Sequence, residues 1–146
     1  MKRLLGISII SLMSLIMLSG CGGQTDTNVA QLDSTSNTIS VNEVLQKLND
    51  PSIKIIDVRT QNEYSDEHIS SALLIPVDII AAEIGKYSDI EKNSEILVYC
   101  RSGNRSMQAL KILNSLGYTN VKSMNGGILA WDSEGYKVCK EKDKTC

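Results

Sequence analysis

"EILVYCRSGNRSMQALKILNSLG", residues 95–117, holds an extended run, a polar turn and an amphipathic stretch in that order, with one cysteine at the first junction. Glu95 to Tyr99 is apolar after its first residue, as in a strand buried on both faces. Ala109, Ile112, Leu113 and Leu116 recur at the i, i+3, i+4, i+7 spacing of a helix face, and Gly117 supplies a left-handed stop. This helix is expected from about Ser106. Cys100 then lies at the carboxyl end of a strand and just ahead of a helix, the place where α/β sheets build their sites.

Outward from this unit the same alternation repeats. Ser40 with Glu43 three residues on is a capping box, and Val41, Val44, Leu45 and Leu48 follow on one helical face, with Pro51 just beyond. Ile53 to Val58 is a β-branched run, and Thr60 with Glu63 is a second capping box opening a short helix. Ala72 to Pro76 reads as another strand, with a helix after it through Ile84. Asn120 to Met124 reads as a last strand, and Gly126-Gly127 turns the chain into a short helix holding Ile128 and Trp131. Strands alternating with helices predict an α/β fold, a mainly parallel sheet with helices on both faces.

The chain has 146 residues, 42% hydrophobic and 22% charged, enough for one globular domain. With no Phe and one Trp, the core falls to Ile, Leu and Val. The formal charge of −2, with Lys and Arg scattered, gives no footprint for nucleic acid. One histidine and no C-x-x-C leave no metal-ligand spacing, and no phosphate-loop or dinucleotide glycine motif occurs, so no cofactor is expected. Residues 1–20 read as an export signal: Lys2 and Arg3 precede a mostly apolar run, Leu4 to Leu18, that is short for a membrane span. Residues 22–38 are polar, small and aperiodic, a tether spanning roughly 20–25 Å as a coil.

Around Cys100 the residue types are those that hold an anion. In "CRSGNR", Gly103 and Asn104 tolerate the left-handed backbone a tight turn needs. Such a turn points successive amides inward, and the following helix adds the positive end of its dipole. Arg101 and Arg105 add charge, and such surroundings bring a cysteine pKa from about 8.5 to between roughly 3.5 and 7.5. The expected site is Cys100 as nucleophile within a loop of Arg101, Ser102, Gly103, Asn104 and Arg105. The plainer alternatives are a buried strand-end cysteine and two solvated arginines.

Several motifs together resemble the rhodanese-like single-domain sulfurtransferases over roughly Ile39 to Val138. "IIDVRTQNEYSDEHI" (Ile55 to Ile69) looks like the first signature of that family, "YCRSGNRS" like its active-site loop and "MNGGILAW" (Met124 to Trp131) like its closing motif. The resemblance implies a five-stranded parallel sheet flanked by helices, and a Cys100 persulfide that moves sulfane sulfur from thiosulfate or a similar anion to an acceptor. Cyanide, a thiol or a protein dithiol, thioredoxin-like among them, are the acceptors it implies. No general base is needed once the thiolate is preformed. Cys100 through Arg105 makes the six-residue loop of sulfurtransferases, where related phosphatases and arsenate reductases carry seven. The alternative is a non-catalytic persulfide carrier or anion-binding module acting with a partner protein. Asp57, Arg59, Glu63 and His68 match positions read as a structural polar network. Ser71 departs from the pattern, standing where family members usually carry glycine.

Leu18-Ser19-Gly20-Cys21 resembles the lipobox of bacterial lipoproteins, which implies cleavage before Cys21, lipidation of its sulfur, and a protein held on the outward face of a bacterial membrane in the cell envelope. The resulting layout is a lipoprotein signal peptide at 1–20, a lipidated cysteine and tether at 21–38, the domain at 39–138 and a tail at 139–146, in a chain expected to be monomeric. Cys139 and Cys146 remain. They either pair, closing an eight-residue loop worth at most about 2.5 kcal/mol, or stay free, or relay sulfur to Cys100.

Overall fold

The computed structural model describes residues 37–140. The export signal, Cys21 with most of the tether, and Cys146 lie outside the described residues. At the centre is β4 (Glu95–Tyr99), whose bounds are those read from the apolar run. On one side β4 pairs with β2 (Ile53–Asp57), which carries β3 (Leu73–Leu74) at its far edge; on the other it pairs with β5 (Val121–Met124), which carries β1 (Thr38–Ile39). Every pairing is parallel, so the sheet of order β1-β5-β4-β2-β3 is all-parallel rather than mainly so.

β1 was not foreseen, because Thr38 falls in the stretch read as tether. Two residues carry no periodicity, and they form a strand only because β5 offers an edge: Thr38 aligns with Ser123 and Ile39 with Met124. Ser123 N donates to Asn37 O at 2.9 Å and Asn125 N to Ile39 O at 2.9 Å.

The helices follow their caps. Ser40 and Glu43 close the box that opens α1 (Val41–Lys47), and Thr60 and Glu63 the box that opens α2 (Gln61–Asp66). α3 (Ile80–Glu83) runs into a 3-10 turn, Ile84–Lys86, past the expected end at Ile84. α4 (Asn104–Ser115) ends as foreseen: Gly117 has φ 88°, Tyr118 N bonds Leu113 O and Gly117 N bonds Asn114 O, a Schellman closure. α5 (Gly127–Ser133) starts at the second glycine of its pair.

Side-chain alternation along the strands divides the core into two layers. Ile56, Ile96, Val98, Cys100 and Val121 pack with Ile80, Ala109, Leu110 and Leu113 from α3 and α4. Ile55, Leu97, Tyr99 and Met124 pack with Val41, Val44, Ile128 and Trp131 from α1 and α5. Helices cover both faces, as a parallel sheet requires.

The C-terminal boundary extends beyond that expected. Cys139 is buried and forms an antiparallel bridge with His68, His68 N donating to Cys139 O at 2.8 Å and Cys139 N to His68 O at 2.7 Å. It therefore belongs to the folded domain rather than to a tail. It is disulfide-bonded. Cys146, its expected partner, lies outside the described residues.

Candidate active site

Cys100 ends the central strand with its side chain turned to the α4 layer, 1% exposed. The chain turns there through Gly103, at φ 111°, and helix α4 begins at Asn104, two residues before the expected start. Gly103 alone takes the left-handed conformation; Asn104 and Arg105 are first-turn helical residues rather than loop. The turn brings Gly103 N to 3.1 Å from Cys100 Sγ.

The loop is held from behind by α5. Ile128 N donates to Cys100 O at 2.9 Å and Leu129 N to Arg101 O at 3.2 Å, so two first-turn donors of α5 are satisfied by loop carbonyls. In a trans peptide the C=O and N–H point in opposite directions. Fixing those two carbonyls outward turns the amides of Arg101 and Ser102 inward. The approach is close: a Cβ on Gly127 would stand 2.3 Å from Cys100 O and 2.6 Å from Arg101 O.

Burial by itself raises the pKa of the Cys100 thiol. The amide and hydroxyl of Ser106 and the amides of Gly103 and Ser102 outweigh it, holding the thiol below its ordinary value. The plain reading of Cys100 as an inert core cysteine does not account for this ring of donors. Ser106, which completes it, and Ser123 behind Ser106 were assigned no role from sequence. Ser123 Oγ donates to Ser106 Oγ at 2.8 Å and Ser106 Oγ donates to Gly103 O at 2.9 Å. A serine in a strand position whose parity demands an apolar side chain was the available signal.

The two arginines differ. Arg105 makes a bidentate pair with Glu63 of α2, both N···O distances 2.7 Å. Glu63 at the same time caps Thr60, accepting from its N at 3.0 Å and its Oγ1 at 2.9 Å. Chiefly the Arg105 hydrogen bonds hold the Glu63 carboxyl down at about 2. The charge of Arg105 is thus largely committed. Arg101 is exposed and makes no ion pair among the described residues, and it lines a cavity of about 140 Å³ with Arg59, Glu63, Asp66, Glu67, Ile128 and Leu129.

The four residues read as one polar network separate into three arrangements. Asp57, fully buried, takes Arg59 Nε at 2.9 Å and Nη2 at 2.7 Å, and the guanidinium also donates to Glu67 O and lies 5.7 Å from the Tyr99 ring centre. Removing either partner of so buried a pair costs about 3–5 kcal/mol, because an uncompensated charge is left behind. Burial, then the Asp57 charge, pushes the Tyr99 phenol far up, and its protonated oxygen accepts from Ile69 N at 3.1 Å. Glu63 belongs with Arg105. His68 stacks on Tyr64 at 3.9 Å, its Nδ1 is 2.9 Å from Tyr64 O, and its backbone bridges Cys139.

Residues 40–134 match the profile of the rhodanese-like domain. A sulfurtransferase of Allochromatium vinosum is 35% identical over 103 residues, spanning 70% of this chain and 94% of that one. The thiosulfate sulfurtransferase PspE of Escherichia coli is 38% identical over 71 residues, 49% of this chain and 67% of that one. Among solved structures, the human single-domain sulfurtransferase superposes with a TM-score of 0.61 at 27% identity, covering 68% of this chain and 97% of that one.

Proposed function

The chain belongs to the rhodanese-like domain family, and from that premise we propose that it is a thiosulfate-type sulfurtransferase working through a Cys100 persulfide. The observation that carries this reading is the sulfur at the end of β4, with Gly103 N at 3.1 Å and the amides of Ser102 and Ser106 around it. The Cys100 thiolate attacks the outer sulfur of thiosulfate; a sulfur–sulfur bond forms as the one to the sulfonate breaks, and sulfite leaves with the bonding pair. The persulfide then gives its outer sulfur to a thiophilic acceptor. With cyanide the products are thiocyanate and the original thiolate, so charge and electrons balance at each half.

The same donors that stabilise the thiolate suit the persulfide anion, so no separate base is required. Arg101, with no ion pair among the described residues, is the cation available to a dianionic donor. With Cys100 1% exposed, the outer sulfur stands one S–S bond, about 2 Å, further out, where an acceptor meets it. Thiosulfate sulfurtransferase is the name of the relative from Escherichia coli, which supports this donor class. The motif Leu18-Ser19-Gly20-Cys21 behind a basic and apolar leader supports the reading of a lipid anchor at Cys21 and, with it, of a reaction carried out in the cell envelope. Lipid anchoring is read by incorporation of labelled fatty acid in the wild type and its loss in Cys21→Ser.

Mass spectrometry of the purified protein after thiosulfate is the direct test. One added sulfur on the Cys100 peptide, lost on adding cyanide and absent from Cys100→Ser, is the expected result. Undiminished turnover in Cys100→Ser refutes the mechanism. Loading without cyanide turnover assigns the chain to the carrier class.

A further inference from the structure

Beneath the sulfur, in the α4 layer, lies a serine pair that the sulfur-transfer steps leave unused. Ser106 in the first turn of α4 is 0% exposed and Ser123 in β5 is 1% exposed. Alternation along β5 places Ser123 on the same face as Val121, a face otherwise packed with apolar side chains. Ser106 Oγ stands 3.6 Å from Cys100 Sγ, 2.9 Å from Gly103 O and 2.8 Å from Ser123 Oγ.

Each hydroxyl has a single proton, and counting protons orders the chain. Among the described residues, Ser106 is the hydrogen-bond partner of the Ser123 hydroxyl, and no buried side-chain N or O is left without one. Were Ser106 to donate to Ser123, the Ser123 proton would be buried with no acceptor, a penalised state. Ser123 is therefore the donor, and the Ser106 proton is left to choose between Gly103 O and the sulfur. With a neutral thiol, S–H donates to Ser106 Oγ and Ser106 donates to Gly103 O. When the sulfur is anionic, rotation of the Ser106 hydroxyl alone brings its proton onto Sγ, while Ser123 keeps donating from behind.

We propose that Ser123 is a positioning residue for the Cys100 sulfur: its donated hydrogen bond orients and polarises the Ser106 hydroxyl, strengthening the bond that Ser106 gives the sulfur in its anionic forms, thiolate and persulfide. Ser123 touches no substrate and acts through Ser106. The proposal rests on the sulfur-carrying role of Cys100 set out above. The charged groups around the loop are Arg101; Arg105 paired with Glu63 of α2; and Asp57, the last residue of β2, paired with Arg59, whose guanidinium lies against Tyr99. None of them contacts the Ser123 side chain, so they stay in place when it is altered.

The test compares wild type, Ser123→Ala, Ser123→Thr, Ser106→Ala and the double alanine variant as full-length chains. Alkylation of Cys100 by iodoacetamide is followed across pH and quantified on the Cys100 peptide, so the other cysteines do not interfere. Below the thiol pKa, Ser106→Ala is expected to react roughly tenfold more slowly, having lost a bond to a charged acceptor. Ser123→Ala is expected to react about two- to fourfold more slowly, having lost only the polarisation of that bond. Ser123→Thr, which keeps the hydroxyl, tracks the wild type, and Ser123→Ala has no further effect in the Ser106→Ala background. An unchanged profile in Ser123→Ala overturns the proposal. So does equal slowing in both backgrounds, which marks a packing effect. Should Ser106→Ala fail to fold, Ser123→Ala against Ser123→Thr carries the test, and equal slowing in those two refutes it. No sulfur donor enters the assay, so a shifted profile in a protein that transfers no sulfur refutes the proposed activity and leaves the serine relay standing.

Discussion

Gly127→Ala tests the seam between the cysteine loop and α5 more directly than any change in the loop itself. An alanine there meets two costs. The backbone sits at φ 59°, where an L side chain costs about 1–2 kcal/mol, less about 0.4–1 kcal/mol recovered because alanine restricts the unfolded chain. The added carbon would also stand 2.3 Å from Cys100 O and 2.6 Å from Arg101 C and O, all backbone atoms that no rotamer change can move aside. The loop must shift by most of an ångström, weakening the Ile128 N–Cys100 O and Leu129 N–Arg101 O bonds at about 0.5–1.5 kcal/mol each. The sum is about 1–4.5 kcal/mol. Gly135→Ala is the internal control, since it has φ 72° and nothing within 4 Å of the new carbon, so it isolates the conformational cost at about 1 kcal/mol or less. Urea unfolding of both variants measures the difference, and Cys100 alkylation across pH reads the loop amides. The expected result is a Gly127→Ala deficit well beyond that of Gly135→Ala, with slower alkylation below the thiol pKa. Equal destabilisation of the two with an unchanged alkylation profile refutes the argument that α5 orients the loop amides.

Two further expectations concern the flanks of the site. Ser71 has φ 62° at the third position of a turn closed by Ala72 N to Ile69 O at 3.1 Å, where a type II turn takes glycine; Ser71→Gly is expected to stabilise the domain by about 0.5–1 kcal/mol, read as a rise of a few degrees in Tm. The Glu63 carboxyl is depressed from 4.5 to about 2, mainly by Arg105, so its stabilisation is fully present above pH 4.5 and lost as pH falls through about 2. The pair is partly exposed and screened, so Glu63→Gln is expected to cost about 1–2 kcal/mol at neutral pH and almost nothing at the acid end, measured by urea unfolding at several pH values. A constant deficit across that range contradicts the assignment. The same variant releases Arg105, and a lower KM for thiosulfate is the kinetic consequence to measure.

What sequence alone determined here is local. The strand Glu95–Tyr99, both capping boxes and the Schellman end of α4 rest on side chains that act within four residues of their own backbone, so their chemistry is written contiguously. The same holds for Cys100 at a strand end before a glycine turn, and with the strand–helix alternation it is enough to state an α/β sheet and to single out the cysteine proposed as nucleophile. Tertiary structure decided the rest. β1 exists only because β5 presents an edge to it; Arg105 is a tie to Glu63, 42 positions away, rather than a free substrate cation; and Cys139 belongs to the fold because it meets His68. The relay of Ser123 to Ser106 spans 17 positions, and the hold of α5 on the carbonyls of Cys100 and Arg101 depends on Gly127 lying against them. Such contacts depend on which elements lie side by side, and burial of the whole apolar set selects that arrangement, so the residues near one partner do not name the other.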